Sequence, residues 1–307
     1  MTLTAIYDVP APAKLNLFLH VVGRRADGYH LLQSVFVLID WCDTLHFERR
    51  SDGRLQRHDL GAALPADDLS LRAARALQQA SGTALGADLS VMKHLPWGAG
   101  LGGGSSDAAS TLLALNRLWG LHWPRQRLQQ IALPLGADLP FFIGGRNAFV
   151  GGIGEQLTPL PAGCLADRRF AVVKPAEAIA TAAIFGSPLL ARNTDAAIVM
   201  SFIADAQLAR VLWNGYGRND LQPPAEASCS AVTQVADWLQ TRFGNSRMSG
   251  SGSAVFARVH ESNGLNESNF MNGTAGQPEL PAEFLPPGWV GRMCRSLDLH
   301  PLVGWAD

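Results

Sequence analysis

The fold class this sequence predicts is a mixed one of helices and strands, in a chain whose 307 residues suffice for two ordinary domains or one large one. Three observations predict it. Apolar residues recur with period two in some stretches and with helical spacing in others. A glycine-packed turn joins one stretch of each kind at residues 95–107. A Pro-, Gly- and Leu-rich segment, Gly154–Asp167, interrupts the pattern near mid-chain and divides the sequence into residues 1–160 and 161–307. Hydrophobic residues make up 47% and charged residues 17%, which describes a globular chain without disordered bulk.

In chain order, Leu15, Leu17, Leu19 and Val21 occupy one face of a first strand, and Lys14, Asn16, Phe18 and His20 the other. A turn over Gly23–Gly28 leads through Tyr29 and His30 to an apolar strand, Leu31–Ile39, and Leu45–Glu48 reads as another. Asp67–Ala80 reads as a helix capped by Asp67 or Asp68 and closed by Gly82. Leu89 and Val91 alternate with polar neighbours as a strand. After the glycine turn, Ala109, Leu112, Leu113, Leu115 and Leu118 repeat at helical spacing, with no Gly or Pro before Gly120.

Further on, Pro124 opens a short helix to Leu133, and a strand is expected at Asn147–Val150. Phe170–Val173 reads as a buried strand, Thr181–Phe185 as a helical turn and Ala227–Phe243 as a long helix. The Ala231, Val235, Trp238 and Leu239 stripe of that helix is core. Ser249–Ala254 is a second glycine-rich turn, feeding the strand Val255–Val259. Residues 261–281 are polar and read as a variable surface loop, before a last strand at Trp289–Arg295.

Composition narrows the function. A net charge of −1 gives no sign of a nucleic-acid partner. The start of the chain has no basic segment followed by an apolar core, and the longest apolar stretch, Ala196–Ala204, is too short to span a bilayer. Cys42, Cys164, Cys229 and Cys294 are scattered, with no metal or redox spacing. A soluble cytoplasmic protein, without a membrane partner, is expected. Only three lysines, Lys14, Lys93 and Lys174, stand among many arginines, which favours sites needing a compact ammonium on a slim stem.

The chemistry centres on Pro96-Trp97-Gly98-Ala99-Gly100-Leu101-Gly102-Gly103-Gly104-Ser105-Ser106-Asp107. Five glycines in seven positions let the backbone take left-handed angles and approach a ligand closely. Free amides of the following helix, with its dipole, favour an anion, so this is a phosphate cradle. Ser105, Ser106 and Asp107 are read as capping residues. The Walker pattern fails for want of a Gly-Lys-Ser/Thr ending. The dinucleotide fingerprint fails because no Asp or Glu lies between Asp107 and Asp138.

Pro96–Ala109 resembles the ATP-binding motif of the GHMP kinases. The segments Pro12-Ala13-Lys14-Leu15-Asn16, Gly136-Ala137-Asp138-Leu139-Pro140-Phe141-Phe142 and Ser249–Ala254 resemble other motifs of that family, in its order. The resemblance implies an α+β GHMP kinase fold of two domains with the active site in the cleft between them, using ATP and Mg²⁺. It implies that Pro96–Ser106 holds the triphosphate, with the Ser105 and Ser106 hydroxyls near a phosphate oxygen or Mg²⁺. Asp138 would be the catalytic base, although Asp before Leu-Pro also suits a helix cap. Lys14 would orient Asp138, and Asn16 would bind the acceptor.

The triple glycine, Gly102-Gly103-Gly104, and Arg25-Ala26-Asp27-Gly28-Tyr29-His30 resemble one branch, whose substrate is a cytidine diphosphate sugar alcohol of isoprenoid precursor synthesis, phosphorylated at its 2-hydroxyl. There Tyr29, His30 and Phe185 would form the base pocket, with Phe185 opposite Tyr29. A kinase for homoserine or mevalonate, or a non-catalytic nucleotide-binding relative, are the alternatives. The enzyme would work as monomer or homodimer. Asp107 stands where that branch commonly has Asn; a carboxylate there is unfavourable near a triphosphate unless it caps the helix or faces Mg²⁺.

Overall fold

In the computed structural model, which describes residues 3–197, 207–260, 280 and 285–306, the strands fall into two sheets. The first contains β1 (Ala5–Arg24), β2 (His30–Arg50), β3 (Leu55–Asp59), β4 (Gly86–Met92), β5 (Ala148–Gly151) and β6 (Gln156–Pro159). Its path runs β3-β4-β2-β5-β6, with β1 paired antiparallel to β2. The second orders β10 (Val290–Arg295), β7 (Arg169–Lys174), β9 (Val255–Arg258) and β8 (Arg247–Met248), all antiparallel.

β2 corrects the reading of two strands. The predicted pieces Leu31–Ile39 and Leu45–Glu48 are one element, because both halves pair with β1 across residues 40–44. Its front half also pairs with β5 and its rear half with β4. β1 is buried on both faces from Ala11 to Val21, and its register shifts between Asn16 and Leu19. The bulge breaks the predicted alternation: Lys14 and Asn16 face the cleft described below, whereas Phe18 and His20 pack against Tyr216.

Helices α1 (Leu69–Ser81), α2 (Gly103–Leu118), α3 (Arg125–Ala132) and α4 (Leu139–Gly144) cover the first sheet and share one core with it. Asp68 caps α1 by accepting from the Leu71 amide at 3.0 Å, and Gly82 ends it in the left-handed region, as expected. On the second sheet lie α5 (Thr181–Gly186), α6 (Leu208–Trp213), α7 (Gln222–Ser228) and α8 (Ser230–Phe243). The long helix predicted over Ala227–Phe243 is therefore two, broken at Cys229, whose extended backbone ends α7 and starts α8. Ala231, Val235 and Leu239 are core as predicted. Trp238 is half-buried under the Arg242 guanidinium, 3.9 Å from its ring centroid.

After β10 the chain returns to the first half. Leu302 and Ala306 join the first core, and Arg125 of α3 donates to the carbonyls of Val303 and Ala306. The polar stretch at 261–279 and most of the apolar stretch at 196–204 lie outside the described residues. All four cysteines are free thiols. No helix among the described residues is long and apolar enough to cross a membrane.

Candidate active site

Two glycine-rich turns meet where the halves of the chain join. The Ser253 amide donates to Gly98 O at 3.0 Å and the Ala254 amide to Ala99 O at 3.1 Å. Lys14 N donates to Leu101 O at 2.9 Å, which ties β1 to the first turn. Gly100 has φ +72°, and a Cβ there would lie 2.1 Å from Ser249 O. Glycine is required at that position by the approach of one backbone to another.

α2 begins earlier than the capping residues suggested. Gly102, at φ +75°, precedes a helix whose first residues are Gly103 and Gly104, and no side chain caps it. Ser105, Ser106 and Asp107 are thus inside the first turns. The amides of Gly102 to Ser105 have no intrahelical acceptor, and the first bond of the ladder runs from the Ser106 amide to Gly102 O at 2.9 Å. An uncapped, glycine-walled helix start suits a phosphate group.

This turn separates two cavities. One, of about 380 Å³, is lined by Lys93, Pro96–Ser105, Asp107 and the start of α1. The other, a cleft of about 830 Å³, is lined by Lys14, Asn16, Asp138 and glycines of both turns, and also by Tyr29, His30 and Phe185. Pro96 to Ser105, predicted as the cradle, line the first cavity. Ser106 lines neither: it is fully buried, with its hydroxyl unpartnered.

Lys14 is the most constrained group of the cleft. It is buried, and Nζ lies 2.5 Å from Asn16 Oδ1, 3.1 Å from Gly100 O and 3.8 Å from Asp138 Oδ2. Burial pulls its pKa below the ordinary lysine value, and the Asp138 carboxylate partly opposes this. Asp138 stands at the N-cap of α4, yet its side chain caps nothing and is 33% exposed. That leaves its carboxylate free to act in the cleft. Asn16 Nδ2 donates to Ser34 Oγ at 3.0 Å, and Ser249 Oγ donates to Gly100 O at 3.2 Å, so the polar floor is internally bonded.

The aromatic part differs in detail from the expectation. Phe185 lies on His30, ring centroids 5.1 Å apart and planes at 27°, while Tyr29 is 60% exposed at the rim. Arg192 donates from Nε to His30 Nε2 at 3.2 Å.

Sequence reasoning missed the partner of Asp107. Lys93 Nζ donates to the fully buried Asp43 carboxylate and, at 2.5 Å, to Asp107 Oδ2. Asp43 also accepts from the His94 amide at 2.6 Å and the Leu95 amide at 2.8 Å, which sets the entry to the glycine turn. Burial and the neighbouring Asp43 push Asp107 up to about 8, against the pull of Lys93. The scarcity of lysine was the signal that could have found this cluster. Lys14 and Lys174 are buried and Lys93 is only 12% exposed, with Lys174 Nζ held by the carbonyls of Pro175, Ala176 and Glu177.

Residues 68–146 match the N-terminal domain of the GHMP kinases and residues 203–273 the C-terminal domain. The 4-diphosphocytidyl-2-C-methyl-D-erythritol kinase of Methylibium petroleiphilum is 64% identical over 306 residues, all of both chains. The chain belongs to the GHMP kinase family. That of Verminephrobacter eiseniae is 54% identical over 98% of both chains. A crystal structure of a 4-(cytidine 5'-diphospho)-2C-methyl-D-erythritol kinase is 30% identical over 93% of this GHMP kinase and 98% of that chain, with a TM-score of 0.72. A mevalonate kinase at 13% identity and a TM-score of 0.68 shares the fold of this GHMP kinase.

Proposed function

We propose that this GHMP kinase transfers the terminal phosphoryl group of ATP to the 2-hydroxyl of 4-diphosphocytidyl-2-C-methyl-D-erythritol. One observation carries the reading: a single cleft holds the Lys14–Asp138 pair beside the glycine turns and also the aromatic group of Tyr29, His30 and Phe185. A small acceptor such as homoserine has no use for three ring systems; a nucleobase does.

Phosphoryl transfer leaves the protein the tasks of positioning and charge stabilisation. The amides of Gly102–Ser105 cradle phosphate oxygens. Asp138 takes the proton of the attacking hydroxyl as its oxygen bonds to the γ-phosphorus, and the bond to the bridging oxygen breaks to release ADP. Lys14, fixed by Asn16 and the Gly100 carbonyl, holds Asp138 in place toward the cleft. Among the described residues no three metal-ligating side chains cluster, which suits Mg²⁺ bound chiefly by phosphate oxygens and water. Ser105, on the wall of the first cavity, would help to hold Mg²⁺, which would supply charge neutralisation at the phosphates. Use of ATP as phosphoryl donor supports a cytoplasmic location.

An ADP-release assay over a panel of acceptors tests the reading. ADP release is expected with the cytidylylated acceptor and not with homoserine or mevalonate. Comparable turnover of either would overturn the substrate while leaving the kinase.

A further inference from the structure

We infer that Arg192 is a positioning residue that locks the tautomer of His30 and so makes its ring a hydrogen-bond donor toward the base of the acceptor. This rests on the reading of the cleft as a site for a cytidylylated substrate.

A guanidinium has donors only. With Arg192 Nε 3.2 Å from His30 Nε2, that nitrogen must accept, and the ring proton of neutral His30 resides on Nδ1. Arg192 is itself fixed. Its Nη1 donates to Leu190 O at 3.1 Å, and its Nη2 to Phe185 O at 3.1 Å and Ser187 O at 2.9 Å. The guanidinium therefore spans from the segment that follows α5 to the first residue of β2. Phe185 covers the imidazole on the same side of the chain, 5.1 Å away. No other hydrogen bond engages His30 Nδ1 among the described residues, and the ring lines the cleft.

Charge acts in the same direction. Burial, then the positive charges of Arg192 and Arg24, lower the His30 pKa, and among the described residues no carboxylate opposes them at the ring. A neutral imidazole with Nδ1–H offers one donor and no acceptor to the cleft. Cytosine presents two adjacent acceptors, N3 and O2, whereas uracil places a donor, N3–H, at the first. A locked donor thus favours the cytosine edge. Without Arg192 the imidazole would populate both tautomers, and the donor would be lost part of the time.

Two measurements test this. The first is the ¹⁵N spectrum of labelled histidines in the free protein, with His30 assigned through His30→Ala. The Nδ1–H tautomer is expected at neutral pH, giving way to a mixture in Arg192→Met. An Nε2–H tautomer or an imidazolium in the wild-type protein overturns the inference, whatever the substrate proves to be. The second is a double-mutant cycle on KM for the cytidylylated acceptor. Arg192→Met should raise it about three- to tenfold, the worth of one hydrogen bond, with KM for ATP unchanged. The acid limb of kcat/KM should move to higher pH as His30 regains an ordinary pKa. In a His30→Ala background Arg192→Met should add nothing. A full effect in that background would make Arg192 merely a brace for Phe185 and overturn the inference. Absence of any turnover by the wild type would instead refute the substrate reading and leave the spectrum to decide this one.

Discussion

Lys14 Nζ lies 3.8 Å from Asp138 Oδ2, a buried ammonium facing a half-exposed carboxylate across the junction of β1 and α4. Two neutral oxygens, Asn16 Oδ1 and Gly100 O, hold the same ammonium, so its position relative to the carboxylate is fixed. Asp138→Asn keeps the size but neither the charge nor the base. Its kcat should fall by a factor of about 10²–10⁴ with ATP affinity and Tm near wild type, measured by coupled assay and calorimetry. Since the carboxylate caps no helix amide, a surviving kcat would remove Asp138 from the mechanism.

The same pair has a pH signature. Burial lowers the Lys14 pKa and Asp138 raises it, so the wild-type ammonium titrates below the ordinary lysine value. A depressed lysine pKa means that Lys14 loses its proton as pH rises, earlier than a surface lysine would. In Asp138→Asn it should titrate lower still. With only three lysines in the chain, ¹³C-labelled lysine spectra can resolve it. An upward shift in the variant would refute the pairing. Lys14→Arg should be nearly inactive, because a planar fork does not fit between Asn16 Oδ1 and Gly100 O.

Glycine at 100 is needed for contact and glycine at 82 for backbone angle alone. At Gly82, φ is +67° and a Cβ would meet nothing within 4 Å, so Gly82→Ala should cost roughly 1–2 kcal/mol. Gly100→Ala adds a collision with the Ser249 carbonyl and should cost clearly more, with ATP affinity lost as the two turns separate. Equal losses in chemical denaturation would show that the turns do not bear on each other. Gly102→Val should likewise weaken ATP binding, since a side chain there enters Phe142 and Lys14.

Asp107→Asn separates charge from shape in the buried cluster with Lys93. A carboxyl pushed up to about 8, against about 4 in the unfolded chain, binds a proton in the folded state that the unfolded state has lost. Wild-type stability should therefore drain away as pH rises from about 4 to about 8. The amide variant lacks this term, so its stability relative to wild type should climb over that window. Lys93→Met, which leaves the fully buried Asp43 carboxylate without its ammonium partner, should cost about 3–5 kcal/mol at neutral pH. A difference between Asp107→Asn and wild type that does not vary with pH would mean that Asp107 is ionised throughout.

Tyr29→Ala should raise KM for the cytidylylated acceptor by the loss of a stack, about 1–3 kcal/mol, and leave KM for ATP alone. A ring that is 60% exposed contributes little to the fold, so Tm should barely move. Parallel changes in both KM values would assign Tyr29 to packing.

Much of this was legible in the residues, and what was not has physical causes. Asp68 and Gly82 bounded α1 because capping is local chemistry. The continuity of β2 across residues 40–44 was hidden, since pairing of residues 42–44 with β1 carries the strand past a bulge and no local signal reports a partner strand. The helix break at Cys229 is invisible to periodicity, which continues through it. The glycine turn reads as a candidate phosphate cradle in sequence, yet nothing there shows that α2 starts at Gly103 and draws Ser106 into the interior. Arg192 lies 162 positions from His30, and only the fold brings them together.

The placement of the three lysines has a consequence for handling the protein. With Lys14 and Lys174 buried and Lys93 only 12% exposed, the exterior carries almost no primary amine. Acylating dyes, aldehyde fixatives and amine-coupled sensor surfaces should find little beyond the α-amino group, so attachment through it would give molecules of uniform orientation. Carbamylation in aged urea and adventitious acetylation by activated metabolites should likewise spare the folded enzyme, and lysine labelling would become a sensitive report of its unfolding.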